Sequence, residues 1–346
     1  MERNSIFELN QSFDQKNMHM KRVLSLISVL AFLMLFASCK VRKPFTLAVL
    51  PDTQTYTRLY PDLFKAQTAW VAEQADSIVF ALQLGDITDH NNEKQWKAAA
   101  EAFQLMDGKV PYAFVPGNHD LGTNGSADVR DATMMNTWLP YSKYSKTAHF
   151  GGAFEEDSME NTWHTFNAGG YKWLVLALEF GPRNEVIDWA AKVLEAHPKH
   201  KAILITHAYM YSDETRMGEG KGHKWLPQAY GLGKATGAQA VNDGEQMWDK
   251  LVSRHKNIVF VFSGHVLNDG VGTLVSTGQH GNKVYQMLSN YQSGVEGSEN
   301  GGNGFLRLVT VIPREKKIRV KTYSPHLDQY NTDAHQQFEF ENVELD

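Results

Sequence analysis

The feature that most constrains the fold is the alternation of short apolar segments with longer amphipathic ones. Apolar runs typical of buried strands occur at 45–50, 78–84, 112–115, 172–178, 202–206 and 258–262. Between them, helical patterns occur at 62–76, 93–106, 184–197 and 244–255. Strands that alternate with helices in this way favour a layered α/β fold.

The pattern changes near Val271. Glycine turn signals now separate β-rich runs at 283–288, 305–312 and 318–323, which predict antiparallel strands that complete a sandwich. Apolar residues make up 42% of the chain and charged residues 21%, which excludes disordered, collagen-like and coiled-coil proteins. Since no repeat or long linker interrupts the pattern, we expect a single domain over residues 40–346.

Five of the predicted strands end in a short polar cluster. The clusters are Asp52-Thr53-Gln54, Gly85-Asp86, Gly117-Asn118-His119-Asp120, His207 and Gly264-His265. Sites in α/β sheets form outside the carboxyl ends of the strands, so these side chains are expected to converge on one patch. The glycines allow the backbone to turn sharply or to approach another group closely.

The residue types in these clusters are ligands of hard or borderline divalent metals. Carboxylates, side-chain amides and imidazoles suit Mn, Fe, Zn or Mg. Two acids, two amides and three histidines exceed the needs of one tetrahedral zinc site, and they suit two ions that share a carboxylate. Because Cys39 is the single cysteine, a zinc site built from several thiolates is excluded.

In order and spacing, the five clusters resemble the motifs of the calcineurin-like metallophosphoesterases, over roughly residues 44–325. The run Gly117-Asn118-His119-Asp120 after a strand is the most specific part of this resemblance. The resemblance implies a four-layer α/β/β/α sandwich of two mixed sheets. It also implies two divalent metal ions and hydrolysis of phosphate mono- or diesters by a metal-bound hydroxide.

The resemblance further implies a role for each matching position. Asp86 matches the carboxylate that bridges the two ions, and Asp52 matches a ligand of the first ion. The ligands of the second ion match Asn118, His207 and His265. His119 matches the histidine that stabilises the phosphoryl transition state or protonates the leaving oxygen. Asp120 is expected either to orient and charge that imidazole or to act only as a helix N-cap.

Two positions depart from the family pattern, and both belong to the first metal site. The first motif normally ends in histidine and here ends in Gln54, and Leu267 replaces the final histidine of Gly-His-x-His. The Gln54 carbonyl oxygen remains as a candidate ligand, together with Asn268 or Asp269. An all-oxygen set favours a harder and more weakly bound ion, so binding of a single ion stays open. The Pro-Asp-Thr-Gln and Gly-His-Val-Leu variants together resemble a bacterial branch of the family, which favours an altered site over a dead one.

Three features outside the motifs are candidates for substrate contact. Arg183, near another strand end, either holds a phosphate with its planar donor fork or forms a structural ion pair. The aromatic-rich segment after His207 either stacks a base or sugar ring or only packs as a loop. The glycine-rich segment 293–304 is either a flap over the site or an exposed hairpin.

Residues 1–39 are predicted to be a signal peptide. Lys21 and Arg22 precede an apolar run over 23–37, which is shorter than the ~20 residues of a membrane-spanning helix. The run ends just before Cys39, and this arrangement resembles the lipid-modified cysteine of a bacterial lipoprotein signal. The alternatives are an uncleaved anchor and a cleavable signal with an incidental cysteine. We expect an exported protein of the bacterial cell envelope, periplasmic and held at the membrane by lipid on Cys39.

These patterns predict a metal-dependent phosphoesterase that acts on a small phosphorylated substrate. The alternative is a non-catalytic binding lipoprotein that retains the sandwich and one structural metal, because the first metal site is weakened. A metal-dependent nuclease is the less favoured interpretation. The formal net charge of −5 argues against a basic nucleic-acid footprint, so we expect no nucleic-acid partner.

Overall fold

The computed structural model describes Met18, Met20 and residues 42–345, and the fold below is that of the unit beginning at Arg42. Cys39 and, apart from Met18 and Met20, the predicted signal peptide lie outside the described residues. None of the helices in the described ranges combines the length and apolar character needed to cross a membrane.

Strands and helices alternate through the first two thirds of this unit, as the apolar runs predict. The strands are β1 (Phe45–Leu50), β2 (Ile78–Gln83), β3 (Tyr112–Ala113), β4 (Phe150–Ala153), β5 (Thr162–Ala168), β6 (Tyr171–Leu178), β7 (Lys201–Thr206), β8 (Ile258–Ser263), β9 (Val271–Thr277), β10 (Lys283–Ser289), β11 (Leu306–Ile312), β12 (Lys317–Ser324), β13 (Gln329–Asn331) and β14 (Gln337–Phe340). The α-helices are α1 (Gln54–Leu59), α2 (Pro61–Glu73), α3 (Glu93–Gln104), α4 (Thr133–Trp138), α5 (Tyr141–Tyr144), α6 (Asn184–Ala196) and α7 (Gly244–Lys250).

The strands of residues 42–345 form two mixed sheets of seven strands each. The first has the order β13-β12-β11-β1-β2-β3, with β14 also paired to β12, and the second has the order β4-β5-β6-β7-β8-β10-β9. The neighbours β1, β2 and β3 are parallel, and so are β6, β7, β8 and β10. Parallel strands end at one edge of their sheet, and the loops that follow them carry the site.

The two sheets pack face to face, as the side chains of β1 illustrate. Leu47 and Val49 belong to one apolar cluster with Ile205 of β7 in the other sheet. Ala48 and Leu50 point to the opposite face, because successive side chains of a strand alternate. Both faces of β1 are therefore covered, which explains why its sequence is continuously apolar.

Helices cover the outer faces of the sheets. On the first sheet, Phe64 of α2 and Phe103 of α3 meet edge to face with ring centroids 5.4 Å apart. On the second sheet, α6 joins the parallel strands β6 and β7 and buries Val186 and Leu194. The architecture is thus the α/β/β/α sandwich that the resemblance implies.

The central strands agree with the sequence prediction to within a residue or two, whereas several outer elements were not predicted. Strands β4 and β5 carry a glycine pair and several polar residues, so no apolar run marks them. Helix α1 has the sequence QTYTRL, which contains two β-branched threonines and is a weak helix former. The helix predicted over 244–255 ends at Lys250 and is followed by a 3₁₀ turn at Val252–Arg254.

Candidate metal centre

The predicted site residues come together at the carboxyl ends of the parallel strands. A cleft of about 240 Å³ opens there and is lined by Gln54, Asp86, Asn118, His119 and His265, among others. Asp52 and His207 are buried and contact these lining residues from the protein side. Residues 213 positions apart in the chain are thus brought into contact, since the His265 backbone N–H donates to Asp52 Oδ1.

The rings of His207 and His265 each direct one nitrogen, Nε2 and Nδ1 respectively, at the other ring. His207 Nδ1 lies 2.8 Å from the Leu84 carbonyl oxygen, and His265 Nε2 lies 2.7 Å from the Trp225 carbonyl oxygen. A carbonyl only accepts, so both of these nitrogens carry hydrogen, and in neutral rings the other two carry lone pairs. Those two nitrogens are 3.0 Å apart, and His207 Nε2 is also 3.2 Å from Asp86 Oδ1. The arrangement is repulsive unless a proton or a cation lies among the three groups.

The same corner contains the other atoms that a divalent ion requires. The ligand atoms of Asp86, His207 and His265 all lie within 4.8 Å of one another. Asn118 Oδ1 and Gln54 Oε1 are buried and have no hydrogen-bond partner among the described residues. A buried carbonyl oxygen without a donor is costly, and a cation would satisfy it. The donor set of carboxylate, amide and imidazole therefore fits the metals that the sequence implies.

Asp52 is held by three donors. Its Oδ2 accepts from the His265 backbone N–H at 3.0 Å and from the Asn290 and Gln292 side-chain amides at 2.9 Å each. Gln292 Oε1 in turn accepts from the Gln54 side-chain amide. Asn290 and Gln292 lie in the loop after β10, where no motif marks them as part of the site.

The other candidates for the first metal site point elsewhere. Asn268 donates its side-chain amide to Ser212 Oγ at 2.7 Å, and Asp269 Oδ1 accepts from the Val271 backbone N–H at 3.3 Å. Neither residue lines the cleft, whereas Leu267 does. The expectation that Asn268 or Asp269 completes the first metal site is therefore corrected. Gln292 instead lines the cleft beside Leu267.

Burial and mutual charge shift the pKa values of the four ionisable groups. Burial raises the pKa of Asp52 to about 8, although the nearby His207 opposes this. Burial would also raise the pKa of Asp86, but His207 and His119 outweigh it and hold that pKa below its ordinary value. For His207, Asp86 and Asp52 overcome the effect of burial and raise the pKa to about 9. Burial and His207 together lower the pKa of His265 to about 3. A proton on His207 therefore balances Asp86 until a cation replaces it.

His119 is held by Asp89. Its Nδ1 lies 2.8 Å from the Asp89 carbonyl oxygen and 3.6 Å from Asp89 Oδ1, and its backbone N–H donates to Asp86 Oδ1 at 3.0 Å. Burial would lower the pKa of this imidazole, but Asp86 and Asp89 outweigh it and raise the pKa above its ordinary value. The side chain is 35% exposed and lines the cleft, which leaves Nε2 to meet a ligand.

Asp120 holds two loops together and makes no contact with the His119 ring. Its carboxylate accepts from the backbone N–H groups of Ile87, Thr88 and Gly117 at 2.7–2.9 Å, and from the Thr88 hydroxyl. Gly117 is the N-cap of the 3₁₀ turn Asn118–Asp120, and Asp120 is its third residue, so Asp120 accepts from the N-cap and is not itself the N-cap. Asp89, rather than Asp120, bonds the His119 ring, whereas the charge of Asp120 contributes, after those of Asp86 and Asp89, to the raised pKa of that imidazole.

Arg183 lies outside the lining of the cleft. Its guanidinium bonds Glu179 at 2.9 Å, Glu185 at 2.9 Å and Glu155 at 3.2 Å, so the expectation of a phosphate ligand is corrected to a structural ion-pair cluster. Arg58, which the sequence did not single out, lines the cleft instead. Its Nη1 lies 2.5 Å from Asp89 Oδ2, and its side chain is 39% exposed.

The fold thus places this set of candidate metal ligands on loops that follow the ends of the parallel strands. A model of the family described as calcineurin-like phosphoesterase matches residues 45–269. The chain therefore belongs to the calcineurin-like phosphoesterase family.

Two kinds of relative were found. The "Uncharacterized protein YvnB" of Bacillus subtilis (strain 168) is 27% identical over 307 residues, which is 84% of this chain and 21% of that protein. The chain thus spans about a fifth of the length of this curated relative. Among solved structures, the purple acid phosphatase PPD1 from yellow lupin (Lupinus luteus) seeds matches with a TM-score of 0.54 and 12% identity, over 86% of this chain and 54% of that one. A NAD nucleotidase (NadN) from Haemophilus influenzae matches with a TM-score of 0.43 and 13% identity, over 82% and 48% of the two chains. The lupin likeness agrees with the fold described above.

Proposed function

We propose that this protein is a metal-dependent phosphoesterase that hydrolyses mono- or diesters of small phosphorylated molecules. The main supporting observation is that His207 Nε2 and His265 Nδ1 converge to 3.0 Å, with His207 Nε2 also 3.2 Å from Asp86 Oδ1. The two imidazoles and the carboxylate need a positive charge among them, and a divalent cation would supply it. Membership of a phosphoesterase family supports the choice of reaction.

The residues present would hold two divalent ions drawn from Mn, Fe, Zn and Mg. Asp86 would bridge them, Asp52 and Gln54 would bind the first ion, and the second would be bound by Asn118, His207 and His265. Two ions are proposed because the orphaned oxygens of Gln54 and Asn118 belong to different halves of this set. When bound, such ions neutralise phosphate charge and activate the attacking water.

His119 would donate a proton to the leaving oxygen. The Asp89 carbonyl keeps a hydrogen on Nδ1, so a second proton resides on Nε2, the nitrogen available to the cleft. The Asp89 carbonyl accepts from Nδ1 and the Asp89 carboxylate lies 3.6 Å away, and both contacts favour the protonated form that an acid catalyst needs. Arg58, with its planar donor fork at the rim, would bind a phosphate oxygen or the substrate's remaining group.

Export and anchoring belong to the same proposal. We propose that residues 1–39 are a lipoprotein-type signal, that Cys39 carries the lipid, and that residues 40–346 act as one domain in the bacterial cell envelope, on its periplasmic side. The support is the sequence pattern around Lys21, Arg22 and Cys39. An enzyme in that place would meet nucleotides, sugar phosphates, phosphodiesters and lipid head groups.

A non-catalytic binding lipoprotein is the second candidate, and Leu267 is the observation that favours it. Because leucine replaces the family's histidine at position 267, the first metal site is weakened. A single remaining ion could then have a purely structural role. The position of His119 favours catalysis, because an imidazole at the cleft contributes little to the packing of the sandwich.

Metal content and turnover, measured on one preparation, test the proposal. Purified protein is analysed for bound metal and assayed on p-nitrophenyl phosphate and its bis ester with Mn, Zn, Mg or Ca added. We expect two equivalents of metal and turnover that a chelator removes, and the better ester gives the substrate class. Asp86→Asn serves as the matched inactive variant. If the protein binds one equivalent of metal or none and shows no turnover with any metal, the result would favour the non-catalytic binding lipoprotein instead.

A further inference from the structure

We propose that Gln292 is a ligand of the first metal ion and replaces the histidine that Leu267 displaces. This inference rests on the proposed metal centre and deepens it, since Gln292 lies outside the five motifs. It assigns the first site a set of oxygen ligands from the segments that follow β1 and β10.

The loop after β10 reaches the place where the missing histidine would lie. Leu267 and Gln292 both line the cleft. A Cβ built on Gly294 would lie 3.2 Å from Leu267 Cδ1, so the leucine packs directly against the loop that carries Gln292. The apolar side chain therefore supports the loop that brings in the replacement.

The Gln292 amide lies between the two first-site residues. It is 4% exposed, donates from Nε2 to Asp52 Oδ2 at 2.9 Å, and accepts at Oε1 from the Gln54 amide. Gln54 Oε1 is buried without a partner among the described residues. Two amides and a carboxylate are thus crowded together while one acceptor remains unsatisfied. A cation at this point would be bound by oxygens of all three side chains.

The ligand chemistry predicts which cation the first site prefers. Asp52, Gln54 and Gln292 offer only oxygen, and oxygen ligands suit hard ions such as Mn²⁺, Mg²⁺ or Ca²⁺. His207 and His265 give the second site two imidazoles, which suit borderline ions and bind them more tightly. We therefore expect two ions of unequal affinity, with the weaker one at Gln292.

Titration of the metal-free full chain with Mn²⁺ tests the role of Gln292. Bound equivalents are counted by elemental analysis after equilibrium dialysis, and the fall of the free-ion signal is followed by electron paramagnetic resonance. We expect two ions on the wild-type chain. In Gln292→Leu the weaker ion should bind more than about tenfold less tightly, while the tighter one is unchanged. Ser293→Ala, next along the same loop and also lining the cleft, should bind like wild type.

Two further variants separate a ligand from a residue that only positions Asp52. Gln292→Glu loses the donor to Asp52 but keeps a ligand oxygen, so it should retain the weaker ion. The double variant Leu267→His with Gln292→Leu returns the family's ligand and should regain that ion. A positioning role predicts that both variants bind as poorly as Gln292→Leu, and this result would overturn the inference.

The remaining outcomes also decide the matter. If Gln292→Leu binds both ions with wild-type affinity, Gln292 is not a ligand, and the proposed phosphoesterase is unaffected. If the wild-type chain binds one ion only, there is no first site for Gln292 to complete. If it binds none and shows no turnover, the proposed function fails together with the inference. Thermal unfolding of every variant verifies that each chain is folded.

Discussion

At the scale of single residues, three glycines each leave room for a ligand that belongs to another motif. A Cβ on Gly264 would lie 2.0 Å from Asp52 Oδ1, and one on Gly117 would lie 2.1 Å from Asp86 Oδ1. A Cβ on Gly85 would lie 2.7 Å from Nδ1 of His207. The glycine of each motif therefore sets the position of a side chain supplied by a different one.

We predict that Gly264→Ala weakens metal binding without unfolding the chain. The new methyl group would displace the Asp52 carboxylate from its three donors, and overpacking of this kind costs about 1–3 kcal/mol of stability. Metal titration and thermal unfolding would measure the two effects. Gly218→Ala is the control, because its nearest neighbour is the flexible Glu245 side chain at 3.0 Å. Equal metal affinity in the two variants would contradict the prediction.

His119→Ala should lower kcat by about 10²–10⁴-fold while the bound metal stays at the wild-type level. The reason is that this imidazole is proposed to protonate the leaving oxygen and is not counted among the ligands. Steady-state kinetics and metal analysis on the same sample would show whether kcat falls while the amount of bound metal stays the same. Replacement of the exposed His326 by alanine is the control and should change neither quantity. A fall in bound metal that matches the fall in kcat would assign His119 to the metal site instead.

The motif residues could be found from the sequence because each one follows a recognisable apolar strand. Arg58, Asp89 and Gln292 could not be found in this way. Arg58 lies in a weak helix, and Asp89 acts through its backbone carbonyl as well as its carboxylate, a contact that depends on loop conformation. Gln292 is brought to the site by β10, a strand whose place beside β8 only the sheet pairing reveals.

At the scale of elements, β5 shows why an edge region is harder to predict than a central strand. His164 on β5 is buried against Phe80 and Phe150, and its ring stacks on His149 at 5.5 Å. Its Nε2 bonds the Thr162 hydroxyl at 2.9 Å. A sequence pattern cannot distinguish such an apolar-packed histidine from an exposed one.

His164 should make the fold sensitive to acid. Burial, with a contribution from His149, lowers the pKa of His164 from 6.5 to about 3. The unfolded chain therefore binds a proton below pH 6.5 that the folded chain does not, and stability falls as the pH drops toward 3. The loss from this group should reach about 1.4 kcal/mol at pH 5.5.

Urea unfolding at pH 7.5 and pH 5.5 would test this. The drop in unfolding free energy should be smaller by about that amount in His164→Phe, which keeps an aromatic ring but does not titrate. His326→Phe changes an exposed histidine and should leave the drop as it is in wild type. The prediction is wrong if the unfolding free energy of His164→Phe falls between pH 7.5 and pH 5.5 by as much as that of wild type.

At the scale of the whole molecule, the proposed metal centre draws its residues from both sheets. Asp52, Asp86 and Asn118 follow strands of the first sheet, whereas His207 and His265 follow strands of the second. A cation held by both groups would link the sheets at the edge where their parallel strands end.

Removal of metal should therefore destabilise the entire sandwich. A ligand at a hundredfold excess over its dissociation constant adds about 2.7 kcal/mol of stability, so a chelator should lower the melting temperature by several degrees. Differential scanning calorimetry with and without chelator would measure this shift. Asp86→Asn, with the bridging carboxylate removed, should show little or no shift. The prediction would be contradicted if the melting temperature of the wild-type chain were the same with and without chelator.

The separation of the ligands along the chain also determines when the ions can be acquired. Asp52 and His265 are 213 positions apart and belong to different sheets, so neither half of the chain can form the centre alone. Metal capture must follow the docking of the sheets, late in folding. If the chain is exported, as its N-terminal sequence predicts, and folds only afterwards, it would take its ions from the compartment in which it folds. The metal supply of that compartment, rather than that of the cytoplasm where the chain is made, would then decide which ions it carries.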